Sequence, residues 1–182
     1  MKKILIILFA ILCIPISGFA MSLSTLENNP QRYIKISEDY NSAVYTDAGS
    51  IKSIRYSPPY YTLSTNTYYV VYKLNMVGLY SEIYNYDYNY STESTMKRIV
   101  SDMYDNGETP DEETVCSRTE AAQRENSGIE RNGTCIGVWK LNGQPMRKSL
   151  HSSSSTNSTV TYHTVGFDIA EAVFRTYYKQ YF

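Results

Sequence analysis

The chain has 182 residues, with 17 Lys and Arg against 18 Asp and Glu and a formal net charge of −1. That balance excludes the basic surface a phosphate backbone demands, so nucleic acid is not an expected partner. The length suits one domain with its own core, and its compositional outlier is tyrosine, 19 residues against five phenylalanines.

Residues 1–20 read as a signal peptide. Lys2 and Lys3 open it, Ile4 to Ile14 is an apolar run, and Pro15 breaks that run. Gly18-Phe19-Ala20 then offers small residues where a signal peptidase reads. The run is too short to span a bilayer comfortably. Cys13 follows Leu12, where a lipoprotein signal wants a small residue, so lipidation there is not expected. Cleavage would leave a single domain, 21–182, with a formal net charge of −3 and no further apolar segment to span a membrane. The expectation is an exported bacterial product, periplasmic, surface-held or secreted.

Two short strands come first, "RYIKIS" at 32–37 and "NSAVYT" at 41–46, paired as a hairpin across Glu38-Asp39. "DAGSI" at 47–51 breaks the run as a turn or one helical turn. Pro58-Pro59 in "YSPPYYTL" marks an edge or a loop. The clearest strand is Tyr68 to Asn75. Tyr68, Val70, Tyr72 and Leu74 lie on one side, Tyr69, Val71, Lys73 and Asn75 on the other. The next strand carries "YSEIYNYDYNY", with tyrosines at 84, 86, 88 and 90. Met96 to Tyr104 reads as a further strand, although "STESTMKRIV" also suits the opening of a helix.

Residues 105–133 are polar and turn-rich, an insertion with a short helix near Glu112 to Arg124. It lacks the apolar area to hold itself. Cys116 and Cys135 survive cleavage, and in an oxidising compartment an even pair is expected to form a disulfide. That bridge would be worth about 3 kcal/mol in the chain-entropy description and would tie the insertion to the strand "TCIGVWKL". After the polar link at 151–159, Ile169, Ala172, Val173, Thr176 and Tyr177 recur at helical spacing. Thr164 caps that helix, with Asp168 and Glu171 early and Lys179 late, the sense the helix dipole favours. The predicted fold class is α+β, an antiparallel β-sheet with a C-terminal α-helix packed on one face.

Two readings of the tyrosine stripe follow. Helix-covered, Tyr84, Tyr86, Tyr88 and Tyr90 are core; uncovered, they are a partner-binding surface for another protein or a second copy, since interfaces are rich in tyrosine. No catalytic residue, metal or cofactor is expected. His151 and His163 flank the serines at 152–155, and Asp168 follows, but there is no GxSxG elbow and no metal-ligand spacing. "DEE" at 111–113 reads as a helix start. Asn89, Asn132 and Asn157 open N-x-Ser/Thr sequons, which matter only in a eukaryote.

"YTDAGSI" at 45–51 and "DIAEAVFRTYY" at 168–178 resemble elements of the surface-adhesin protein E-like family of small exported bacterial proteins. The resemblance implies an antiparallel sheet closed by a C-terminal helix, and an outer-surface protein that binds host matrix proteins. The chain departs from the family in lacking the lipoprotein cysteine. Both mature cysteines also precede the final helix, so a bridge would not clamp it. The functional expectation is an exported, non-catalytic, adhesin-like binding domain acting through protein–protein contacts. A self-associating envelope or periplasmic factor is the alternative. A hydrolase using His151 or His163 ranks third.

Overall fold

The computed structural model describes residues 20–146 and 158–182. Residues 1–19 of the signal segment, His151, the serines at 152–155 and Asn157 lie outside them. The fold is α+β: the described residues form a seven-stranded antiparallel sheet with four helices, the last of them C-terminal.

The organising element is β4, Tyr60–Val71, twelve residues of mostly β-branched and aromatic side chains. Along one edge it pairs over its whole length with β5, Met76–Asp87, from Tyr60↔Asp87 to Val71↔Met76. Along its other edge two strands lie end to end. β2, Ser42–Asp47, pairs with residues 67–71, and β3, Lys52–Ser57, pairs with residues 60–64. β1, Tyr33–Glu38, flanks β2. β6, Ile129–Lys140, flanks β5, and a two-residue β7, Ser158–Thr159, closes that side.

The segment at 47–51 explains how one strand serves two partners. It forms a single 3-10 turn, Ala48–Ser50, between β2 and β3. Asp47 accepts the Gly49 N–H at 3.0 Å and both Nε and Nη2 of Arg32 at 3.1 and 3.0 Å. Ser50 donates to the Asp47 carbonyl at 2.7 Å and accepts the Asn66 N–H at 2.8 Å. Asn66 sits where neither β2 nor β3 pairs with β4. The serine hydroxyl therefore replaces the missing ladder bond, as a buried N–H requires.

Alternation along the strands builds two cores on opposite faces. On one, Val44, Tyr61, Leu63, Tyr84, Tyr86 and Ile129 pack beneath α4, Val165–Tyr178, which contributes Phe167, Ile169, Ala170, Val173 and Phe174. Thr164 caps α4 by accepting the Phe167 N–H at 3.3 Å, as the sequence predicts. Tyr86 ties sheet to helix by donating to the Ala170 carbonyl at 2.9 Å. On the other face, Tyr33, Ala43, Tyr45, Tyr68, Val70 and Val77 are covered by Met21 and by Leu26 of α1, Leu23–Glu27. Tyr68 and Tyr69 thus enter different cores, which is why both faces of that strand carry aromatics.

The remaining helices are α2, Thr92–Asp105, and α3, Glu112–Glu125, which pack on each other around Met103, Val115 and Thr119. Gln123 locks the pair to the sheet by donating to the Tyr90 carbonyl and to Thr95 Oγ1 at 3.2 Å.

Four expectations are corrected. Residues 96–104 are helical: Ser91 caps the Ser94 N–H, and Thr95 and Met103 provide an inward face at helical spacing. Tyr72–Leu74 leaves the sheet as a 3-10 turn ending at Asn75, whose φ of 49° is left-handed. β4 starts directly after Pro58-Pro59, eight residues earlier than Tyr68. The expected disulfide is not present: Cys116, exposed on α3, and Cys135, half-buried on β6, are both free thiols. Helix pairing, with Gln123 as its peg, anchors the segment instead.

Candidate functional site

Covering of the second face is partial. Met21 and α1 protect the half around Tyr68, Val70 and Val77, but not the half around Tyr60 and Asp87. There a groove of about 840 Å³ opens. Strand periodicity builds its floor. Tyr60 and Thr62 of β4, Asn85 and Asp87 of β5, and Glu130 of β6 share this face because their neighbours Tyr61, Tyr84, Tyr86 and Ile129 point to the other. Arg55 of β3, Tyr90, the end of α3 at Glu125-Asn126 and Thr159 complete the walls.

The stripe itself is therefore divided. Tyr84 and Tyr86 are fully buried against α4, and burial, with Glu82 beside Tyr84 and Glu171 beside Tyr86, pushes both phenols well above their ordinary range. Tyr88 is half-buried and stacks on Phe174 at 6.1 Å. Tyr90 turns to the groove because the strand ends at Asp87 and a 3-10 turn, Tyr88–Tyr90, breaks the alternation. The residues facing the open side within the strand are the polar ones between the tyrosines, Asn85 and Asp87.

Hydrogen bonds hold the lining in place. Thr62 Oγ1 donates to Asn85 Oδ1 at 2.9 Å, and Asp87 accepts the Asn89 N–H at 3.1 Å. Gly128 permits close approach at the α3–β6 junction. Its φ is +69°, and a Cβ there would fall 2.5 Å from Tyr90 Cβ and 2.8 Å from the Asp87 carbonyl. Both tyrosine walls carry a cation: Arg55 lies 5.4 Å from the Tyr60 ring centre and Arg98 5.9 Å from that of Tyr90.

A second polar cluster centres on a buried carboxylate. Glu82 is 0 % exposed on the α4 side of the sheet. It accepts from Thr67 at 2.8 Å, Tyr69 at 3.0 Å, Tyr84 at 2.7 Å and from Arg131 Nη2. Burial alone would lower Arg131, but Glu82, Tyr84 and Tyr69 outweigh it and hold the guanidinium above its ordinary value. A carboxylate saturated with four donors is built to be held, not to react. Near the "YTDAGSI" turn lies a smaller hollow of about 320 Å³, lined among others by Arg32, Lys52 and Asn66.

His163 stands 3.6 Å from Glu120 and against the Tyr162 ring at 4.1 Å. Asp168 lies in the first turn of α4, and Asp111 caps α3 by accepting the Thr114 N–H at 2.9 Å, with Glu112 and Glu113 in its first turn. Among the described residues no group of three His, Cys, Asp or Glu could hold a metal, and no helix is long and apolar enough to cross a membrane. The groove was not foreseen from the sequence. The signal that could have found it is the Asn85-x-Asp87 alternation, opposite to the tyrosines. No protein-family model, no curated protein and no solved structure matches this chain.

Proposed function

We propose that this chain is an exported, non-catalytic binding domain, adhesin-like in working through protein–protein contacts, with the groove between Tyr60 and Tyr90 as its seat. The groove carries this reading: its polar and aromatic groups stand on adjacent paired strands, the rigid placement that recognition needs, and its size falls in the range of ligand sites. The Lys2-to-Ala20 pattern supports export. The test is capture of a partner from surface extracts by the wild type against Tyr60→Ala and Asn85→Ala, both kept native by circular dichroism. Equal capture by all three proteins would refute the groove as the seat.

A second reading, self-association, is favoured by β3. This strand pairs only with β4 among the described residues and presents Ile54 and Tyr56, 58 % and 68 % exposed. Sedimentation velocity separates the two readings: a concentration-dependent dimer abolished by Ile54→Lys supports self-association, and a monomer at all concentrations removes it.

A further inference from the structure

The groove has an unbalanced lining. Three carboxylates, Asp87, Glu125 and Glu130, face one guanidinium, Arg55. The ion pairs of the chain lie elsewhere, as in Arg32 with Asp47, Lys35 with Glu38, Lys97 with Glu93 and Arg118 with Glu108. Among the described residues none of the three groove carboxylates has an ion-pair partner. The aromatic walls already attract cations, since Tyr60 and Tyr90 each hold a guanidinium of the chain itself within 6 Å. Asn85, its Oδ1 engaged by Thr62, keeps its amide N–H groups for a peptide carbonyl.

We propose that the groove takes a lysine- or arginine-rich peptide segment of a partner protein. The cationic side chains lie against Tyr60 and Tyr90 and are neutralised by Glu130, Asp87 and Glu125. This rests on the groove being the binding seat. Arg55 is then a built-in competitor, because it occupies the Tyr60 ring and cancels part of the negative potential. An oligosaccharide, the other ligand that tyrosine, amide and carboxylate groups suit, would use Arg55 as a donor. The two ligand classes therefore give Arg55→Ala opposite signs.

The experiment is calorimetric titration of the mature chain with an acetylated, amidated hexalysine peptide and, in parallel, with cellohexaose. Expected are binding of hexalysine that weakens with added salt, a roughly two- to five-fold loss in Glu130→Gln and a comparable gain in Arg55→Ala. Glu112→Gln/Glu113→Gln, which removes twice as much charge from the remote start of α3, leaves hexalysine affinity unchanged. Equal weakening by that control would show bulk attraction only and overturn the proposal. Binding of cellohexaose instead, lost in Arg55→Ala and Tyr60→Ala, would overturn the peptide ligand while keeping the groove as a binding seat. Failure of both probes, with every variant native by circular dichroism, would overturn the peptide proposal; the partner-capture comparison decides the seat itself.

Discussion

Replacing Arg131 by Met strands the carboxylate of Glu82 in the protein interior. The charge is 0 % exposed, and its only cationic partner in the described structure is a guanidinium that is itself 27 % exposed. Breaking a buried pair from one side costs about 3–5 kcal/mol. The hydroxyls of Thr67, Tyr69 and Tyr84 remain as donors and soften the loss, since each hydrogen bond to a charged group is worth about 1.5–3 kcal/mol. The expected cost is therefore about 3 kcal/mol, the low end, or roughly a hundredfold in the folding equilibrium. With a urea slope of about 2 kcal/mol/M, the midpoint falls by about 1.5 M. The lone tryptophan, Trp139, at the far end of the same strand, reports the transition by fluorescence. Glu82→Gln/Arg131→Met removes both charges and recovers at least half of the loss. A single variant that costs less than about 1 kcal/mol, or a double variant no better than the single one, would refute the view of this pair as mutually compensating.

Phe174→Ala empties the point where Tyr61, Tyr86 and Phe182 meet, and should cost about 3–5 kcal/mol by urea unfolding. Gly128→Ala combines a positive φ with contacts of 2.5 and 2.8 Å, so it should lower the melting temperature and shift the Asp87 and Tyr90 resonances in NMR spectra more than distant ones. Burial holds the Glu171 carboxyl above its ordinary value, against the opposing effects of the Phe182 N–H and Arg175. A raised folded-state value means the charge costs stability at neutral pH, and that cost disappears once the group is protonated in both states. Glu171→Gln should therefore raise the melting temperature at about pH 7 and leave it unchanged below about pH 4. Both thiols should alkylate without reductant, exposed Cys116 faster than half-buried Cys135; a mass showing neither labelled would restore the bridge.

The limits of sequence reading are visible in particular elements. The helix 165–178 was legible because Thr164, Asp168 and the apolar spacing agree, and Ile169, Ala172 and Val173 are buried as that spacing predicts, but the buried face is wider and shifted at its ends. Tyr177 is exposed, whereas Phe167, Ala170 and Phe174 carry the contact. The hairpin at 33–47, the turn at 48–50 and the helix at 112–125 were likewise local matters of alternation, capping and turn chemistry. The opening of β4 was missed because Pro58-Pro59 marks the segment as an edge or a loop; in the fold Thr62 bonds Asn85 on the groove face and Thr65 meets Ser50 of the turn. For the candidate site, the sequence pointed to four tyrosines, of which Tyr86 and Tyr90 border the groove, Tyr86 with its side chain buried against α4.

What the sequence by itself determined is the α+β class, the two-sided aromatic strands and the capped C-terminal helix, because period, caps and composition act over a few residues at a time. What tertiary structure alone decided is which face each covering element takes. α4 claims the side of Tyr84 and Tyr86, α1 claims half of the other, and the groove is the half that neither reaches. Burial is a property of packing between distant segments, so no local pattern could say which polar residues would be left looking outward.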